Sequence, residues 1–157
     1  MTRTPADRSR RSFALEEAVS VLARTPGTLD AMLRGLGDGW ITANEGENTW
    51  SAFDTFDRFA QFAESEGRPL DSLLDEFASL RRENLRALSD LRLTEADLDR
   101  RGRHPVFGAV TLRQLLATWM AHDLDHVVQI SRVLARQYAT EVGPWTAYLR
   151  IISGQQG

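Results

Sequence analysis

The stretch TLRQLLATWMAHDLDHVVQISRVLARQY, residues 111–138, is the longest uninterrupted helical pattern in the chain. At about 100° per residue, its large apolar side chains fall on one arc, as in a helix that packs one face against a core. These side chains are Leu112, Leu115, Leu116, Trp119, Val127, Ile130, Val133 and Leu134. Thr111 followed by Gln114 is a capping-box signature, so we predict that the helix begins there.

One turn of this helix interrupts the apolar arc with polar side chains. His122, Asp123 and His126 project from the face that carries Trp119 and Ile130. Burying them costs free energy unless each finds a partner. The spacing of His122 and His126 places both imidazoles on one side of the helix, where two nitrogens can share one metal ion. The alternative is a pair of core histidines that are hydrogen-bonded to carboxylates or carbonyls.

Length and composition favour one domain without cysteine or lysine chemistry. The chain has 157 residues, which suits a single domain over residues 12–157 behind a polar, basic and disordered tail at residues 1–11. It has no cysteine, and all 19 basic residues are arginine. Disulfides, thiolate nucleophiles and lysine Schiff bases are therefore excluded.

Charge and hydropathy indicate a protein that binds neither nucleic acid nor membranes. The 22 acidic and 19 basic residues give a formal net charge of −3, which argues against a broad surface for nucleic acid or anionic lipid. No apolar run approaches the length of a membrane span, and no hydrophobic segment follows the basic N-terminal residues. We therefore expect a soluble, cytoplasmic protein.

Two further parts of the chain have strong helical patterns. Residues 12–36 form either a kinked helix or two helices in series, because Thr25 and Pro26 interrupt the apolar pattern. Residues 70–91 carry a leucine-rich stripe. We place Asn84 within this stripe, bonded to a neighbouring helix, and Arg81 outside it. A short capped helix is expected over residues 94–100.

Two other segments are harder to interpret. Residues 51–66 predict a short helix capped by Ser51 and Asp54, in which the phenylalanines recur every third position. Because that spacing drifts around a helix, the four rings cannot all be buried on one side. RGRHPVFGAV, residues 101–110, is predicted to be a connection without strands, in which His104 packs within the loop.

The sequence HPVFGAVTLRQLLATWMAHDLDHVVQI, residues 104–130, together with VGPWTAYLRI, residues 142–151, resembles the DinB/YfiT-like family of bacterial proteins. The resemblance implies an all-α, antiparallel four-helix bundle, a homodimer, and a three-histidine site for a divalent metal. His122 and His126 match two of those histidines, and zinc or nickel suits them. Asp123 would orient an imidazole, bond to a neighbouring helix, or itself be a metal ligand. The resemblance also implies metal-dependent thiol-transferase or hydrolase chemistry, with a small-molecule thiol as a possible substrate.

The chain departs from the family pattern where the first metal histidine belongs. That histidine lies on a second long helix in the family, whereas WSAFD here runs directly into TFDRFAQF at residues 50–62. We therefore expect the second bundle helix to be shortened or absent. The resulting apolar groove would be covered by the phenylalanine-rich segment or by a partner chain. The candidates for a third metal ligand are Glu47, Asp54, Asp57 and Glu64.

Two functions from different classes remain. The first is a metal-dependent enzyme in which His122 and His126 hold a divalent ion, with catalytic residues not identified. The second is a non-catalytic helical bundle that acts as a binding or dimerisation module, with a degenerate metal site and no bound metal. The two differ in whether a third ligand is present, because catalytic zinc sites generally use three protein ligands.

Overall fold

The computed structural model describes residues 12–62 and 64–154, so the predicted tail at residues 1–11 lies outside the described part. The elements in chain order are α1 (Leu15–Leu22), α2 (Thr25–Leu33), α3 (Asp38–Ile41), α4 (Ala52–Ala60), α5 (Leu70–Asp90), α6 (Glu95–Leu98), β1 (Arg101–His104), β2 (Gly108–Thr111), α7 (Leu112–Arg136), α8 (Ala139–Val142) and α9 (Arg150–Ser153). A 3-10 helix, Gly143–Tyr148, lies between α8 and α9. No helix of the described residues has the length and apolar character needed to cross a membrane.

The long helix α7 begins where its sequence predicts. The Thr111 hydroxyl accepts a hydrogen bond from the Gln114 N–H at 3.1 Å, and the Gln114 side chain accepts one from the Thr111 N–H at 2.8 Å. Leu116, Ile130 and Val133 of the predicted arc are buried. Helices α1 and α4 both pack against α7, which makes it the central element of the fold.

The first helix of the bundle is broken into two shorter helices in series. α1 ends at Leu22, and α2 begins at Thr25 with Pro26 in its first turn. The fixed φ of proline suits this position, where its missing N–H costs no helical hydrogen bond. α1 packs against α7, and α2 packs against α5 and α7. The break predicted at Thr25 and Pro26 is confirmed.

The second helix of the bundle, α4, is present but short. α4 has 9 residues, against 25 in α7, and spans about 14 Å at about 1.5 Å per residue. Ser51 and Asp54 form the predicted capping box at its start. Phe56 is fully buried and Phe59 is 8% exposed, so the phenylalanine-rich helix contributes directly to the core. The structure therefore confirms a four-helix bundle with a shortened second helix.

Helix α5 corrects one prediction about buried polar residues. Its core-facing side chains are Leu70, Leu73, Leu74, Phe77 and Arg81. Arg81 is thus inside the stripe and only 5% exposed, whereas Asn84 is exposed to solvent. Arg81 follows Phe77 by four residues, which is the helical spacing that keeps both side chains on one face.

The connection at residues 101–110 is also different from its prediction, because it forms an antiparallel hairpin. β1 and β2 pair with Arg101 opposite Thr111 and His104 opposite Gly108. The Nδ1 atom of His104 accepts hydrogen bonds from the backbone N–H groups of Val106 and Phe107, at 3.1 and 3.2 Å. His104 therefore has the local role that was predicted for it. Four-residue strands without a fully buried residue show too little alternation to be recognised.

Candidate metal centre

The two histidines of α7 point their ring nitrogens at one another. The Nε2 atoms of His122 and His126 are 3.0 Å apart. Their ring centroids are separated by 4.3 Å, and the ring planes are nearly perpendicular at 83°. In the hydrogen-bonded arrangement one neutral imidazole donates its N–H and the other accepts it. The two Nε2 atoms are thus brought next to one another, and the donor must carry its proton on Nδ1 instead before both can bind one ion.

This separation fits a shared metal ion. Zinc binds histidine nitrogen at about 2.0–2.1 Å, so two nitrogens on one ion cannot be more than about 4.2 Å apart. The observed distance of 3.0 Å between the Nε2 atoms of His122 and His126 satisfies this limit. Neutral imidazole is also a ligand for which zinc, nickel and copper have high affinity. The pair can therefore supply two ligands to a divalent ion.

The surroundings of the pair disfavour the charged form of His126. Its side chain is half-buried, and its ring lies 4.7 Å from the Phe59 ring, centroid to centroid. Burial lowers the pKa of His126 below its ordinary value, and the neighbouring His122 lowers it further. At pH 7 the His126 imidazole is therefore neutral, as a metal ligand must be.

His122 opens onto two cavities, and His126 opens onto the larger of them. The larger has a volume of about 510 Å³ and is lined by Trp50, Asp57, Arg58, Gln61, Phe62, His122 and His126. A second cavity, of about 300 Å³, is lined by Phe59 and Ala60 at the end of α4 and by His122, Arg81, Asn84 and Trp119. His122 is therefore accessible from two sides.

The third ligand is not in place beside the histidines. Over residues 12–62 and 64–154, no group of three histidine, cysteine, aspartate or glutamate side chains is arranged to hold a metal ion. Among the four predicted candidates, Asp57 lines the larger cavity, and its Oδ1 atom is buried without a hydrogen-bond partner. Asp54 is engaged at the start of α4. Glu47 and Glu64 are exposed and line neither cavity.

Asp123 is fully buried and joins three helices. Its carboxylate forms an ion pair with Arg81 of α5, in which the Nη1 and Nη2 atoms each donate to one oxygen. The Thr25 hydroxyl of α2 donates to the same carboxylate at 2.6 Å. Of the three roles predicted for Asp123, these contacts support bonding to a neighbouring helix. Orientation of an imidazole stays a prediction.

Sequence reasoning missed the two partners of Asp123. Arg81 also donates to the Leu22 carbonyl at 3.2 Å, and its guanidinium carbon lies 5.1 Å from the ring centroids of both Phe77 and Trp119. One signal was available in the sequence. A single basic residue in phase with the stripe of α5 and a single acidic residue within the arc of α7 together indicate a buried ion pair.

Comparison with known proteins agrees with this architecture. The fold is similar to the solved structure of YfiT from Bacillus subtilis, which is described as "a probable metal-dependent hydrolase with an unusual four-helix bundle topology". The TM-score is 0.62 at 16% sequence identity, and the match covers 83% of this chain and 92% of that chain. No curated protein matches the chain significantly.

The sequence itself carries the family assignment. The match to the family model described as the DinB superfamily extends over residues 2–130. These residues include α1 and α2, the shortened α4, α5, the hairpin and both histidines of α7. The resemblance read from the motifs of α7 is thereby confirmed. The chain belongs to the DinB superfamily and has a four-helix bundle fold.

Proposed function

We propose that this protein is a metal-dependent enzyme of the hydrolase or thiol-transferase type, in which His122 and His126 hold a divalent ion, zinc or nickel. The observation that carries the proposal is the 3.0 Å separation of the two Nε2 atoms at the wall of an open cavity. The description of YfiT as a metal-dependent hydrolase supports it, because the two proteins share a fold. When bound, such an ion supplies a Lewis acid for a carbonyl group or a thiol.

The residues around the pair position it and admit a small molecule. The Phe59 ring packs against His126 and shields one side of the imidazole from water. The adjacent cavity of about 510 Å³ lies within the size range of small-molecule sites. The ion pair between Asp123 and Arg81 fixes α7 relative to α5. The histidines thus stand on a rigid helix, which is the support that a metal site needs.

Loss of metal on removing either histidine is the first expected result. We expect the purified wild-type protein to retain close to one zinc or nickel ion per chain after dialysis. His122→Ala and His126→Ala should each lose it, because each removes one ligand. Elemental analysis of the dialysed proteins measures this directly. His104→Ala is the matched control, since His104 lies in the hairpin and should leave the metal content unchanged.

We propose that Asp57 supplies the carboxylate that completes the site when an ion binds. The support is its place in the same cavity and its buried, unpartnered Oδ1 atom. Asp57→Asn is expected to weaken zinc binding by about tenfold or more, measured by calorimetric titration. Asp54→Asn is the control, because Asp54 caps the same helix outside the cavity. Equal affinities for Asp57→Asn and wild type would exclude Asp57 as a ligand.

A second candidate function is a non-catalytic binding module of the same fold. The observation that favours it is the lack of a three-ligand group in the part of the chain that the structure describes. In that case the histidines are a hydrogen-bonded polar pair on α7. Metal-free wild-type protein, with no zinc affinity better than about micromolar, would favour this function over the enzyme.

A further inference from the structure

The cavity beside the histidines contains an arginine whose hydrogen-bonding capacity is unused. Arg58 lies on α4 and lines the same cavity as His122 and His126. Within residues 12–62 and 64–154, it has no ion pair and no hydrogen bond from its guanidinium. Its contact is with Trp50, whose ring centroid lies 4.0 Å from the guanidinium carbon. Arg34 and Arg113, by contrast, are each bound to aspartate or glutamate side chains.

Stacking on Trp50 prepares Arg58 to bind a ligand. An aromatic face attracts a guanidinium and restricts the orientations that its long side chain samples. A contact with the ring uses none of the five N–H donors of the guanidinium in a hydrogen bond, so they remain available. A planar fork of donors matches the two oxygens of a carboxylate. The arrangement therefore suits recognition of a carboxylate group.

The neighbouring carboxylate does not neutralise this charge. Asp57 precedes Arg58 on α4, and adjacent residues on a helix point about 100° apart. No ion pair joins them, and the Oδ1 atom of Asp57 is buried without a partner. The cavity wall thus carries the unpaired guanidinium of Arg58 as well as the histidine pair.

We propose that Arg58, stacked on Trp50, binds a carboxylate group of the substrate, so that the substrate class is a small organic carboxylate whose reacting group lies at His122 and His126. This inference rests on the proposed function and adds its substrate chemistry. The hydrophobic part of such a molecule would lie along Phe62 and Trp50, which line the same cavity. Arg58 is then a specificity-determining residue.

Binding of benzoate, with benzamide as its neutral isostere, tests the proposal. The indole N–H resonance of Trp50 reports on the cavity and is followed by NMR titration of the protein as purified and of the metal-free protein. The metal-free sample removes any carboxylate binding to a metal ion. Wild type is compared with Arg58→Gln. The control is Arg86→Gln, because Arg86 is an exposed arginine of α5 that lines neither cavity.

We expect benzoate to shift the Trp50 resonance in both wild-type samples. It should bind at least about tenfold more weakly to Arg58→Gln, because that variant loses a hydrogen bond between charged groups. Arg86→Gln should bind like wild type, and benzamide should bind more weakly than benzoate. Equal benzoate affinity in Arg58→Gln, equal binding of benzamide, or no binding by wild type would overturn the proposal. Inorganic phosphate binding more tightly than benzoate would overturn the carboxylate assignment.

The outcomes separate this inference from the proposed function. Metal content depends on His122 and His126, and Arg58→Gln should retain the metal. Wild-type protein without bound metal would overturn the proposed metal-dependent enzyme, whether or not benzoate binds. A metal-bound wild type whose benzoate affinity is unaffected by Arg58→Gln would overturn the substrate assignment and leave the metal site standing.

Discussion

Replacement of Asp123 with alanine is expected to lower the free energy of unfolding by about 3–5 kcal/mol, because it leaves a buried arginine without its counter-ion. Asp123 is 0% exposed and Arg81 only 5% exposed, so the guanidinium would stay largely out of water after losing its counter-ion. The Thr25 hydroxyl would lose its acceptor as well. Such a loss is a large part of the stability of about 5–15 kcal/mol that is usual for a domain.

Urea unfolding followed by far-UV circular dichroism measures this effect. Asp125→Ala is the matched control, because Asp125 lies on the same helix but is exposed, and it should change stability by no more than about 0.5 kcal/mol. The double variant Arg81→Met/Asp123→Leu should recover most of the loss, since it replaces the ion pair with apolar groups. A cost below about 1 kcal/mol for Asp123→Ala would contradict the buried ion pair.

Replacement of Phe56 with alanine is expected to cost about 3–5 kcal/mol, through lost burial and the cavity that remains. Phe56 is fully buried on the shortened α4. Its ring centroid lies 5.7 Å from that of Phe77 and 5.9 Å from that of Phe62, both in edge-on arrangements. Phe56 and Phe59 both contact Phe77, so these two rings link the shortened second helix to α5.

The same urea experiment tests Phe56→Ala, with Phe107→Ala as its control. Phe107 is 77% exposed in the hairpin, so its removal should leave the unfolding midpoint nearly unchanged. If Phe56→Ala were as stable as Phe107→Ala, the phenylalanine-rich helix would not be packed in the core. The groove left by the shortened helix would then need another occupant.

Much of the fold could be predicted because local signals and burial agree. The arc of α7, its capping box at Thr111 and the break at Thr25 and Pro26 all depend on neighbouring residues in the sequence. The motif around His122 and His126 indicated the correct superfamily. The shortening of the second bundle helix could also be predicted, because a stretch of the family pattern is missing from the sequence.

The remaining features depend on contacts between distant residues. Arg81 was placed outside the core because a charged residue is usually exposed, yet Asp123, 42 residues away, makes its burial possible. The hairpin was missed because its strands have four residues each and little burial. Sequence alone could not separate Asp57 from Asp54 as a candidate ligand, since only the folded helix shows which carboxylate lines the cavity.

The proposed function depends most on a divalent ion bound between the two histidines of α7. The most direct measurement is an anomalous difference map from crystals of zinc-loaded protein, collected on both sides of the zinc absorption edge. We predict one strong peak within bonding distance of the Nε2 atoms of both His122 and His126, and no such peak in crystals of the His122→Ala variant. Zinc found only at exposed carboxylates, or a map without a peak at the histidine pair, would contradict the account.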